Sequence, residues 1–94
     1  MILKAGASVT GDPNADVVRL LLERLLTMAQ EYRHVGAIHE AIELYWGIVD
    51  EHPGTAAAQT SRAVLLEIAI SFESQAAPHQ ARSIYERLLA DGTD

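Results

Sequence analysis

The chain has 94 residues, about half of them apolar, no cysteine, and a formal net charge of −6 from thirteen acids against seven Lys and Arg. That length allows one small domain whose core is only just large enough, and the apolar content sets it apart from disordered chains. Without cysteine there is no disulfide frame and no thiolate metal site. The scattered basic residues offer no stripe for a phosphate backbone, so nucleic acid is not an expected partner. Met1-Ile2-Leu3-Lys4 leads into Ala, Gly and Ser rather than an apolar run, so no signal peptide is read, and no stretch is apolar for long enough to cross a membrane. The expected compartment is the cytoplasm, or the periplasm for a chain whose leader has been removed.

Residues 1–12 have no clear period and read as an N-terminal arm, with a helical domain over 13–94. Asp12-Pro13 opens the first helix with an acid at the cap and proline at the first helical position, where its missing N–H costs nothing. Val17, Leu21, Leu25, Met28 and Tyr32 follow at helical spacing, and Val18, Leu22, Leu26 and Ala29 widen the apolar face to about half the circumference. Gly36 permits a reversal. A second helix is predicted from about Ala37 to Glu51, with an equally broad face from Leu44 and Ile48 to Ile42 and Trp46, and His52-Pro53-Gly54 ends it. Thr55 can cap a third helix reaching about Ser74. Pro78 opens a fourth, to about Ala90, with Asp91-Gly92 as its stop. The fourth helix has a narrower face of Ala81, Ile84, Tyr85, Leu88 and Leu89. It carries Arg82 and Glu86 where the second helix has Ile42 and Trp46. Those two apolar residues are therefore expected to cover the third helix, and the polar pair to mark the end of the stack.

The halves repeat at a fixed offset. Leu25-x-x-Met28-Ala29-x-x-Tyr32, then Ala41-x-x-x-Tyr45, then Pro53, returns forty residues later as Leu65-x-x-Ile68-Ala69-x-x-Phe72, then Ala81-x-x-x-Tyr85. Pro13 matches Pro53 and His39 matches His79, giving units 13–52 and 53–92. Such a period marks stacked helix–turn–helix units. The pattern resembles the tetratricopeptide repeat, with units longer than that family's usual ~34 residues. Leu25 stands where the family often has Trp, and Ala76 replaces the turn glycine in the second unit. The resemblance implies an all-α short solenoid of two stacked antiparallel helix pairs, with Tyr32, Tyr45, Phe72 and Tyr85 in the core. It also implies a non-enzymatic module that binds a partner protein or peptide in a concave groove, as an adaptor, scaffold or assembly factor.

His34, His39, His52 and His79 lack the spacing of a tight metal motif and read as surface or helix-end residues, so neither metal nor cofactor is expected. Lys4 is the only lysine, which leaves a phosphorelay histidine without its usual support. Ser61, Ser71, Ser74 and Ser83 have no His–acid pair in register, and Glu31, Glu40 and Glu43 read as solvated helix charges, so no catalytic residues are assigned. Trp46 reads as core rather than as a partner's anchor. The resemblance assigns partner contacts to the face opposite the repeat signature: Glu23, Leu26, Gln30 and Arg33 on the first helix, and Ala63, Leu66, Ile70 and Glu73 on the third. With neither Lys nor Asn there, the carboxylate clamp of some family members is not expected. Two alternatives concern the apolar residues. Leu22, Leu26, Leu66 and Ile70 could form a homodimer face, or Ile2, Leu3 and Val9 could fold back over Leu26, Leu66 and Ile70.

Overall fold

The computed structural model describes residues 13–91 and is all-helical there. The helices are α1 (Pro13–His34), α2 (Ile38–Glu51), α3 (Ala56–Ser74) and α4 (Pro78–Asp91). α1 packs on α2 and α3 on α4, forming two hairpins, and α2 lies against α3 to join them; α1 meets α3 more lightly. This is the expected all-α stack of two helix pairs. The N-terminal arm, with Ile2, Leu3 and Val9, the Asp12 cap and the stop at Gly92 all lie outside the described residues.

Both hairpins turn by the same device. In the first, Gly36 N–H donates to the Arg33 carbonyl and Ala37 N–H to the Tyr32 carbonyl, at 3.2 and 2.8 Å. In the second, Ala76 donates to Glu73 and Ala77 to Phe72, at 3.1 and 2.8 Å. These paired bonds satisfy carbonyls that the helix end would leave open, and they need a left-handed residue at the first turn position. Gly36 supplies it with φ 86°, whereas Ala76 takes φ 60° with a Cβ. An added Cβ at Gly36 would meet nothing within 4 Å, so its effect there is purely conformational. Ala76→Gly is therefore expected to stabilise by about 1 kcal/mol and Gly36→Ala to destabilise by about as much, each read by urea unfolding. The link between hairpins is capped differently. Thr55 Oγ1 donates to the His52 carbonyl at 2.7 Å and accepts from Ala58 N–H at 3.1 Å.

The core is continuous along the stack. Ala29 of α1, Ala41, Tyr45, Trp46 and Val49 of α2, Leu65, Ile68 and Ala69 of α3, and Ala81 and Ile84 of α4 form one buried cluster. A second gathers Leu22, Ile48, Ala57 and Ala58 under the crossing of α1 and α3, with Leu25 and Leu26 half-buried beside it. Ala29 and Ala69, and Ala41 and Ala81, are matched small residues that allow close helix approach, and all four are buried. Trp46 is core, as its position on α2 predicts. It also does something that its sequence did not announce: the Arg87 guanidinium of α4 lies 4.2 Å from the ring centroid, while Arg87 holds Asp50 at 2.6 Å. Arg62 of α3 and Asp91 of α4 pair at 2.7 Å, fastening the far end of the last helix.

Four expectations need correction. Tyr32 is not core but 37% exposed, and Val17, Val18, Leu21 and Met28 on the same broad face are exposed with it. Among the described residues α1 has α2 and α3 as neighbours, and the flank toward them is the covered one, by way of Leu22 and Ala29. Leu22, expected on an outward apolar face with Leu26, Leu66 and Ile70, is buried in the second cluster, so that four-residue face does not form. Leu89 was read on the packed face of α4 and is exposed.

Candidate protein-interaction site

Between α1 and the start of α3 lies an open cleft of about 710 Å³. Val18, Leu22, Leu26 and Ala57 make it mostly apolar, and Arg19, Glu23, Thr55 and Thr60 add polar groups. It continues toward the turn end of α1 along Leu26, Thr27, Gln30, Tyr45, Thr60 and Val64. There Arg33, half-buried, pairs with Glu67 across the two helices at 3.4 Å. The local reason for the shape is the run Ala56-Ala57-Ala58 at the start of α3. Its short side chains let Leu22 and Leu26 settle against the helix yet leave room beside them.

Tyr45 sits at the floor of the continuation. Its side chain is buried, and Oη has no hydrogen-bond partner among the described residues. Burial pushes its phenol above the ordinary value; the Arg33 guanidinium works against that rise and the Glu67 carboxylate adds to it. The matching Tyr85 is better served, donating from Oη to Glu73 Oε1 at 2.8 Å. That hydrogen bond is the main cause of its own raised pKa. Ser61, on the buried face of α3, also has an unpartnered hydroxyl.

The structure divides the eight expected contact residues into two groups. Glu23, Leu26 and Gln30 line the cleft between α1 and α3, while Arg33 does not line it and pairs with Glu67 of α3. Glu23 also accepts a hydrogen bond from Arg19 at 3.4 Å, and Leu26 packs on both core clusters. Ala63, Leu66 and Ile70 are exposed on α3 and are not among the residues lining that cleft. Glu73 is turned toward α4, where it holds Tyr85. Sequence reasoning missed Val18, Thr60 and Val64 as cleft residues. Their signal was present, because a cleft between two helices draws on facing flanks: Thr60 and Val64 belong to the flank of α3 that lines it, and Ala63, Leu66 and Ile70 do not.

His34, His39 and His79 are exposed and His52 is half-buried. Among the described residues no group of three or more His, Cys, Asp or Glu is placed to hold a metal ion, and no helix is long and apolar enough to cross a membrane. Comparison with protein-family models, curated proteins and solved structures finds no match.

Proposed function

We propose that the chain is a two-unit module of the tetratricopeptide type and a non-enzymatic adaptor or assembly factor. It binds a segment of a partner protein along the cleft between α1 and α3. The observation that carries this reading is the cleft itself: an open, mainly apolar channel between two helices, with Leu22, Leu26 and Ala57 as its floor and the charges of Arg19 and Glu23 beside them. Such a channel suits a peptide that buries one or two apolar side chains and keeps its polar groups at the edge. The test is selection of binding peptides from a random library, followed by their affinity for a variant with the channel filled. Thr60 is exposed and lines both parts of the cleft, so Thr60→Trp blocks it without entering the core. Selected peptides are expected to bind at least ~10-fold more weakly to Thr60→Trp, about 1.4 kcal/mol. Unchanged affinity would remove the cleft as the site.

A second reading, self-association, is favoured by a different surface. Val17, Leu20, Leu21 and Met28 stand exposed along α1, and Val35 just beyond it.

A further inference from the structure

The forty-residue offset matches the exposed apolar residues of α1 with positions on α3. Val17, Leu21 and Met28 correspond to Ala57, Ser61 and Ile68, all buried, and Tyr32 corresponds to the half-buried Phe72. On α3 that face is covered within the fold, where α2 lies alongside it; on α1 it is open. The uncovered stripe runs the length of a 22-residue helix and continues into the groove made by Met28, Tyr32 and Leu44.

We infer that this stripe is a dimer interface, at which α1 of one copy packs antiparallel against α1 of a second copy about a two-fold axis near Met28. This deepens the self-association reading and rests on it. Charge selects both the occupant and its direction. Val17, Leu21, Arg24, Met28 and Glu31 follow one another at alternating steps of four and three, the spacing of a helix–helix seam. Arg24 lies in the first half of the stripe and Glu31 in the second, both exposed, and neither side chain has an ion pair among the described residues. Glu40 and Glu43 border the groove at the Glu31 end. An antiparallel pair lays the Arg24 half of one stripe over the Glu31 half of the other. Arg24 then meets the partner's Glu31 twice, once on each side of the axis. A parallel pair would set like charges together.

End-on stacking is the competing geometry, with α4 covering α1 as α2 covers α3. It would bury Arg82 and Glu86, which hold each other at 2.8 Å, at the positions that Ile42 and Trp46 fill on α2. The two-fold pairing leaves Arg82 and Glu86 in water and instead brings together Arg24 and Glu31, which have no ion pair within one copy among the described residues. With the axis near Met28, about residues 21–34 of each α1 overlap, about 21 Å at 1.5 Å per residue, and the adjoining groove of Met28, Tyr32 and Leu44 widens the contact.

Sedimentation of the full chain across roughly 10 to 500 µM is the test, a range suited to a small interface. The wild type is expected to form a dimer. Leu21→Glu, at an exposed site, should keep the helical spectrum while weakening the dimer at least ~100-fold. Arg24→Glu and Glu31→Arg should each weaken it ~10-fold or more, and the double exchange Arg24→Glu/Glu31→Arg should recover most of that loss. A wild-type monomer throughout the range would overturn both this interface and the self-association reading. A dimer indifferent to Leu21→Glu, or a double exchange without recovery, would overturn this interface while leaving self-association through another surface.

Discussion

Leu65→Ala is expected to cost about 2–5 kcal/mol, enough to unfold much of the population of a domain this small. Leu65 is fully buried in the cluster to which all four helices contribute. Truncation therefore leaves a void that the surrounding cluster cannot close without moving backbone. The informative control lies at the matching position: Leu25 is only half-buried, beside the smaller cluster. Leu25→Ala should lose clearly less, about 1–2 kcal/mol, because part of that side chain already meets water. Urea unfolding followed by circular dichroism gives both values. Equal losses would mean that the two hairpins share the core evenly, contrary to the burial described.

The contrast between Leu25 and Leu65 also shows what the sequence could and could not convey. Helix ends were legible because they are local: Pro13, Gly36, Thr55 and Pro78 act on the residues beside them. The inner faces of α2, α3 and α4 were legible because apolar spacing points in one direction and a neighbour lies there. Periodicity alone says that a face is apolar and is silent about whether anything covers it. That is why Tyr32 and Leu21 read as core and proved exposed, and why the α3 residues Leu66 and Ile70 were placed in a groove they do not line. The Arg87–Trp46 stack and the Arg62–Asp91 pair depend on distances across helices, which no local pattern encodes.

Ala69→Leu should destabilise by about 1–3 kcal/mol, and Ala41→Leu similarly, because both methyl groups lie in fully buried helix–helix contacts. Three added carbons must either push the helices apart or adopt poor rotamers. Ala63→Leu makes the same chemical change on the same helix as Ala69 but at an exposed position, and it should stay within about 0.5 kcal/mol of wild type. Thermal melts of the three proteins separate the outcomes. A large loss at Ala63 would place a neighbour over that face of α3.

The packing of α2 against α3 has a consequence for how the molecule comes apart. Within each hairpin the contacts are local in sequence, so each could form early and quickly. The junction between the second and third helices, the slight touch of the first on the third and the reach of Arg87 from the last helix to Trp46 and Asp50 make the opening of one hairpin felt by the other. Trp46, the sole indole, belongs to that junction and has Arg87 of the last helix stacked on its ring. Its fluorescence therefore reports whether the halves remain coupled, while circular dichroism reports whether each half remains coiled. Divergence of the two signals on heating would be the mark of a chain that parts in the middle before it melts at its ends.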